Sequence, residues 1–408
     1  DPELTNVSGT NYNYKNSYVE IPGQTSGPLL QNNYRSFSYS TPITITDRSS
    51  QPNDLAKMSS TYHNVASYVP TFNIFKGTVV RVRAFKAGAL PSPIVTKTYF
   101  VSPQGASRFT LPVVSLSLTE TKFFDYEDGI FVAGKDFDDW RAINPTEVAD
   151  NNTVNDINAN ANYVRSGDLT EQVGNISYFV GGNEVLNQNL GIRINGGNSR
   201  NIQSKALRLY ARSEYGSDAF NYPFFSDESY TSYKRLVLRN SGQDFYSTLF
   251  RDAFTQDLVK TLKVDTKAYQ PTIVFVNGEY WGILNLRERY DDKYFKRVYG
   301  IDEIDLDYLK KNGYARINVG TKDNRAPHKE GKFPTPSGKC EFRIVGAKNF
   351  VAGPFRQMYE AFQPGDDIPE LPDYVPSKET ASANPAPNLT ATLGAKPFAV
   401  KLFAITTT

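Results

Sequence analysis

Polar and apolar residues alternate along the first hundred positions. In "TPITITD" Ile43 and Ile45 are separated by Thr, and in "TVVRVRAFKAG" Val80, Val82 and Ala84 alternate with Arg81 and Arg83. A period of two sends successive side chains to opposite faces of a strand, so this spacing predicts short strands with one face buried. Turn-rich stretches such as "DRSSQPND" punctuate them. Residues 1 to 104 therefore predict a small antiparallel β-sandwich.

A second pattern begins near Phe109, where "LPVVSLSL" reads as a continuous apolar strand. The Asn-rich stretch "DNNTVNDINANANY" interrupts it and reads as a surface insertion. "GNISYFVGGNEVLNQNLGIRINGGNSR" predicts two strands joined at a Gly-Gly-Asn turn, residues 181–183. "SKALRLYAR" and "YKRLVLRNSGQD" continue in the same style. One helix is predicted in "STLFRDAFTQDLVKTLKV". There Leu249, Phe250, Ala253, Phe254, Leu258 and Leu262 fall on one apolar stripe, and Ser247 or Thr248 is placed to cap the start. Arg251 and Asp252 lie side by side on that helix, and spacing does not say which of them faces inward. "PTIVFVNGEYWGILNLRERYDD" predicts two strands about Asn277-Gly278, a dipeptide that favours the positive backbone angles of a tight hairpin. Strands, one helix and a hairpin make an α+β domain.

Composition narrows the chemistry. A chain of 408 residues is too long for one small core, and 39% hydrophobic residues with 26 Tyr and 26 Phe supply packed domains. Forty-five basic residues against 43 acidic leave a formal charge of +2 with no basic run, so charge implies neither nucleic acid nor an acidic membrane. No run of about 20 apolar residues is present, so no membrane-spanning segment is expected. Cys340 is the only cysteine, which excludes an internal disulfide. His63 and His328 are far apart, so neither a His/Cys metal centre nor a Cys–His nucleophilic pair is expected. No metal ligand and no catalytic residue is assigned. Chemistry must rest on carboxylates, Lys, Arg, Asn and hydroxyls.

Two stretches could carry it. In "GIRINGGNSRNIQSKALRLY" a strand runs into Gly196 and Gly197, then Asn198, Ser199 and Arg200, and a second strand brings Lys205. Successive glycines let backbone N–H groups turn toward an anion while Arg and Lys supply charge, an arrangement suited to a nucleotide phosphate. The same residues also make an ordinary Gly-Gly hairpin with a solvated lysine beyond it. In "NLRERYDD" two Arg, one Glu and two Asp could be directed at a metal or phosphate, or could simply end a strand in soluble residues.

From about Phe109 to Leu309 the chain resembles the CotH kinase family, the spore-coat-protein-H-like atypical protein kinases. The resemblance is carried by "LPVVSLSLTETKFFDYEDGIFVAG", "NQNLGIRINGGNSRNIQSKALRLYAR", "KRLVLRNSGQDF", "TLFRDAFTQDLV", "AYQPTIVFVNGEYWGILNLRERYDDKYF" and "YGIDEIDLDYL", in that order. It implies a distorted kinase-like fold that binds ATP with magnesium and phosphorylates Ser or Thr on extracytoplasmic protein substrates. Gly196 to Arg200 would be the phosphate-side loop and Lys205 its basic partner, with Tyr280 and Glu288 near the nucleotide. The family continues with an Asp followed by Asn residues, "DWPGNN"-like, and a later "DTDFG"-like strand. Neither stretch occurs in residues 310–408, which leaves catalysis incomplete, because phosphoryl transfer depends on metal-held positioning and charge.

The flanks resemble other families. "YSTPITITDRSSQPN" and "FKGTVVRVRAFKAGALPSPIVTKTYFV" resemble the chitobiase/β-hexosaminidase C-terminal module, a fibronectin-type-III-like sandwich of secreted bacterial proteins, here without its first strand. With an opening "DPELTNVSGT" that holds neither Met nor a leader, a fragment of a secreted or cell-surface bacterial protein is expected. "KEGKFPTPSGKCEFRI" and "FQPGDDIPELPDYVPSKETASANP" resemble an internal piece of a molybdopterin oxidoreductase, with too little of that enzyme to grip molybdopterin. The expectation is thus an α+β multidomain chain: a sandwich over 1–104, a truncated CotH kinase-like domain over 105–313, and an extended, Pro-rich, partly disordered segment over 314–408. The join near "KNGYARINVG" suggests a chimaera. The alternatives to a kinase homologue are a non-catalytic secreted binding or scaffold protein and, last, an oxidoreductase fragment.

Overall fold

The computed structural model describes residues 4–63, 69–149, 159–262 and 265–301, with the backbone of two further short strands. Residues up to Leu258, with Thr266–Tyr294, make one compact unit. Its centre is a seven-stranded closed barrel of β5 (Val113–Leu118), β6 (Gln172–Val180), β7 (Asn183–Asn195), β8 (Ala206–Tyr210), β11 (Arg235–Arg239), β12 (Tyr269–Val276) and β13 (Glu279–Glu288), in the order β11-β13-β12-β5-β6-β7-β8. Every neighbouring pair is antiparallel except β12 on β5, which is parallel. Alternate residues fill the interior. Leu116, Ile176, Ile192, Leu207, Leu209, Leu236, Leu238, Val274, Leu284 and Leu286 belong to one buried cluster. Strands and few helices confirm the α+β class.

The hairpins form where turn chemistry predicts them. β6 turns into β7 through Gly181 and Gly182, both at positive φ, and β12 turns into β13 through Asn277 (φ 47°) and Gly278 (φ 87°). α3 (Arg251–Val259) is the predicted helix, but two details differ. Its start is held by Asp244, whose carboxylate accepts from Arg251 N (2.9 Å), Thr248 N (3.2 Å) and the Thr248 hydroxyl (2.6 Å), so neither Ser247 nor Thr248 is the acceptor that caps it. The Thr248 hydroxyl and these N–H groups hold the Asp244 carboxyl at about 2. Of the stripe only Ala253 is buried, and Phe250, Phe254, Leu258 and Leu262 are about half exposed. Asp252, the inward member of its pair, meets Arg287 and Arg239 on the sheet, while Arg251 is mainly in solvent.

The first hundred residues depart most from expectation. They hold two separate antiparallel pairs, β1 (Thr10–Tyr14) with β2 (Leu30–Tyr34) and β3 (Thr78–Val82) with β4 (Val95–Tyr99). "TPITITD" forms no strand, and Ile43 is exposed. In β3 and just beyond it the predicted faces are reversed: Val82 and Ala84 are exposed while Arg81 and Arg83 are half-buried. The reason is that the segment has no core of its own. Tyr12, Tyr14, Leu55 and Met58 join the barrel cluster. Tyr18 and Tyr62 pack with Phe137 and Trp140 of α2 (Gly134–Ile143), which follows α1 (Glu120–Phe124). Phe75 and Phe100 cover the outer face of β5, β6 and β12 at Val113, Phe179 and Phe275. With its apolar side chains spent on the barrel, the segment has nothing to bury between two sheets of its own.

The Asn-rich stretch is also not simply a surface insertion. Residues 150–158 lie outside the described residues, but Ala159, Ala161, Asn162 and Tyr163 are fully buried. Asn162 holds the carbonyls of Tyr126 (3.0 Å) and Glu127 (3.1 Å) and accepts from Asp136 N (3.1 Å).

The remainder, Val259–Asp265 with residues from Phe295, is a second unit. α4 (Asp292–Tyr299) leads into it, the Tyr299 hydroxyl donates to Asp265, and β14 (Leu306–Leu309) pairs antiparallel with β15 (Tyr314–Ile317). That ladder joins strands on the two sides of the suspected join. The oxidoreductase-like segment, with Cys340 and His328, lies outside the described residues from 318 onward.

Attachment of the first hundred residues turns on Glu279. Its buried carboxylate accepts from the backbone N–H groups of Asp54 (2.6 Å), Leu55 (2.9 Å) and Ala56 (2.7 Å). Glu279→Ala strands all three donors and is expected to destabilise the chain by about 3 kcal/mol. The denaturant midpoint in urea measures it, and a change below about 1 kcal/mol would contradict this role.

Candidate functional site

β7 ends at Asn195 and the chain turns at Gly196, whose φ of 111° suits glycine alone; a Cβ there would stand 2.3 Å from Ser199 Oγ. A single 3-10 turn, Asn198–Asn201, follows, and the chain re-enters the barrel at β8. The sequence-predicted group Gly196, Gly197, Asn198, Ser199, Arg200 and Lys205 is therefore one continuous loop at one end of the barrel.

Its two cations are turned inward. Arg200 Nε donates to Gly196 O (2.7 Å), and its Nη1 reaches the carbonyls of Tyr163 (3.0 Å) and Arg165 (2.8 Å). Burial, then the nearby Arg208 charge, brings the Arg200 guanidinium down to about 10. Lys205 is wholly buried. Its Nζ donates to Arg200 O (2.6 Å) and Ile202 O (3.3 Å) and lies 3.8 Å from the centre of the Tyr163 ring. Burial, reinforced by Arg200, pushes its ammonium well below the usual lysine range. Both side chains bind carbonyl dipoles and an aromatic face instead of a carboxylate, and together they clamp the loop from beneath. Tyr163 was not legible as part of this site, because nothing in an Asn-rich stretch points to an aromatic floor.

The other two predicted residues stand apart from the loop. Tyr280 lies just past the hairpin turn, half-buried beside Phe275 (5.8 Å between ring centres) and against an apolar hollow of about 230 Å³ with Phe72, Ile74 and Trp281. Glu288 is eight residues further along β13, roughly 26 Å at the usual rise per residue. It is buried on the side of Leu284 and Leu286, opposite Leu236, which in turn faces Leu209, four residues beyond Lys205. One Glu288 oxygen accepts from Ala268 N at 3.2 Å. The register thus brings neither Tyr280 nor Glu288 to Lys205.

Magnesium with ATP calls for one or two carboxylates beside phosphate oxygens. Among the described residues no group of three or more His, Cys, Asp or Glu side chains is arranged to hold a metal ion. Glu288 is closed into the barrel, so these residues do not by themselves fit magnesium. The loop's path is fixed by its glycine at positive φ and by this clamp, and the Arg200 backbone N–H is itself bonded to Gly197 O (3.1 Å).

One further carboxyl stands out. Glu120 accepts from the Tyr12 hydroxyl (2.8 Å) and from Asn277 Nδ2 (3.3 Å), and the Tyr12 hydroxyl in turn accepts from Asn32 Nδ2 (2.9 Å). Burial, followed by the Asp54 charge, raises the Glu120 carboxyl to about 7 despite those bonds. A carboxyl poised near neutrality is a common mark of a functional site, yet every partner here fastens β1 to the barrel hairpin.

The family model described as CotH kinase protein matches residues 192–339. The matched stretch begins inside β7 and takes in the glycine loop, Lys205, α3 and the β12–β13 hairpin. It also runs past residue 313, into the segment that resembles an oxidoreductase. No curated protein matches the chain. No helix among the described residues is long and apolar enough to cross a membrane.

The Glu120 carboxyl makes stability pH-dependent. Its folded value lies above the ordinary 4.5, so the folded state holds the extra proton between pH 4.5 and about 7, and that stabilisation is lost as pH rises through this window. Thermal melts should show a fall of about 2 kcal/mol across it, discounted for partial exposure, which Glu120→Gln removes. An unchanged pH slope in Glu120→Gln would contradict this assignment.

Proposed function

We propose that this chain is a homologue of the CotH-type protein kinases that binds ATP through the Gly196–Arg200 loop and is incomplete for phosphoryl transfer. The observation that carries this reading is the family match over 192–339, because it spans the loop, Lys205 and the hairpin in one run. Lys205 acts here as a positioning residue. It holds the carbonyls of Arg200 and Ile202, and so the path of the loop whose N–H groups would face the phosphates. Transfer to a Ser or Thr hydroxyl of an extracytoplasmic protein needs carboxylates that hold magnesium and steer the hydroxyl, and residues 310–408 contain neither family stretch that supplies them. That absence also supports the second reading, a secreted, non-catalytic binding or scaffold protein. The chitobiase-like and oxidoreductase-like likenesses rest on short wording alone and add no activity.

Calorimetric titration of the full chain with ATP and magnesium is expected to show one site. Gly196→Ala, which crowds Ser199, should weaken ATP by about tenfold while leaving adenosine unchanged, since only the phosphates meet the loop. Lys205→Met, which keeps the buried stem, should do the same. A flat ATP titration of the native chain would overturn the nucleotide reading, and steady transfer of phosphate to a protein substrate would overturn its incompleteness.

A further inference from the structure

The outer surface of the barrel has two unlike flanks. Over β5, β6 and β12 it is covered by phenylalanines. Over β7, β8, β11 and β13 it is lined with arginine. Arg193 and Arg208 are directly opposite one another, Arg208 faces Val237, and Val237 faces Arg287, all in one row across four strands. One step along, Arg235 faces Tyr210, with Arg289 just beyond the end of β13. The buried Tyr210 ring has four guanidiniums about it, those of Arg193 (4.7 Å), Arg212 (5.0 Å), Arg289 (5.4 Å) and Arg235 (5.8 Å).

Most of these cations are matched. Arg193 binds Asp168 (2.5 Å) and Glu171 (2.6 Å), and Arg212 binds Glu171 (2.7 Å), with exposed Glu214 3.8 Å away at the solvent edge. Arg235 binds Asp291 and Asp292, both at 2.8 Å. Arg289 binds Asp291 (3.3 Å) and donates to the Tyr210 hydroxyl (2.9 Å). Arg208 is the exception. Its Nε donates to the neutral amide of Asn195 (2.7 Å), the Tyr210 hydroxyl is its other contact, and no carboxylate pairs with it among the described residues. Like charges directly opposite on a sheet destabilise it, and a half-buried guanidinium without an anion is costly. Among the described residues Arg208 is thus the one guanidinium of the five at Tyr210 with no carboxylate placed against it.

We infer that this arginine-lined flank is a phosphate-binding site, in which the Arg208 fork takes the anion's oxygens between Arg193 and Arg289. A planar fork keeps η N–H donors beyond its contact with the Tyr210 hydroxyl, and such donors match oxygens of a tetrahedral oxyanion. Burial, together with the Arg289 and Arg193 charges, depresses the Arg208 guanidinium. The inference goes beyond the proposed function, because it needs a phosphate group and no nucleotide. It also lies on the opposite face of β8 from Lys205, since positions 205 and 208 differ by an odd number of residues.

The test is thermal shift and phosphorus NMR of the full chain, with inorganic phosphate against chloride at matched ionic strength. The native chain should show saturable stabilisation and exchange broadening. Arg208→Met should abolish both and, in phosphate-free buffer, melt no lower than the native chain, because it removes a repelled cation. Arg208→Lys keeps the charge but not the fork and should bind about tenfold more weakly. Persistence of phosphate binding in Lys205→Met separates this site from the loop. Competition with ATP would assign the site to a nucleotide phosphate, and independent binding would assign it to free phosphate; either supports the inference. No saturable response in the native chain, or an undiminished one in both Arg208 variants, overturns it.

Discussion

The barrel depends on the parallel ladder of β12 on β5, which joins positions some 160 residues apart, from Ile273 on Val113 to Val276 on Leu116. Such a contact is entropically expensive to form and is made late unless something anchors it. Asn277 is the anchor. Its backbone N–H donates to Leu116 O (2.8 Å), its Oδ1 accepts from Leu118 N (2.7 Å), and its Nδ2 reaches Leu118 O (3.1 Å). The side-chain amide thus continues the ladder beyond the point where its own backbone turns away. Gly278 completes the constraint: a Cβ there would stand 2.5 Å from Gly77 O, and Gly77 N donates to Gly278 O at 2.8 Å. One turn therefore closes the barrel and receives the first hundred residues.

That double duty explains why the first hundred residues are not independent. Strand ribbons of two are marginal alone, and these two are stabilised by what lies beneath them. The Glu279 carboxylate, the phenylalanines over Phe275 and the Tyr12–Glu120 bond all tie that segment to the barrel. The flank it covers carries phenylalanines and small polar residues such as Ser115 and Ser177, and the flank it leaves is rich in arginine. The chemical asymmetry of the barrel follows from which strands the first hundred residues shield.

What was legible in the sequence was local. The Asn-Gly and Gly-Gly turns require positive φ and announce themselves, and the apolar run of β5 is buried on every residue. Period-two alternation in β3 was real as a pattern but wrong as to face, since a face is defined by what packs on it and the covering element is remote. The helix stripe failed for the same reason: its spacing was right, yet only Ala253 meets the core. Of the candidate site, the loop and its two cations could be picked out as a candidate because glycine and charge are adjacent in the chain. Tyr163, Glu120 and Arg208 were missed because each acquires its surroundings only through pairing between distant strands.

The two cations of the loop and the one on the flank show how burial sorts charge by partner. Lys205 and Arg200 are buried near each other with no carboxylate between them, which a fold tolerates only where many dipoles converge. Six backbone carbonyls, those of Gly196, Tyr163, Val164, Arg165, Arg200 and Ile202, and the Tyr163 ring do so here. Those donors are spent on the protein itself, so the clamp fixes the loop's shape. Arg208 is held by one amide and one phenol and has no carboxylate against it among the described residues. On a barrel whose remaining arginines are each matched to acids, that difference in commitment separates a cation that builds the scaffold from one that can meet something outside it.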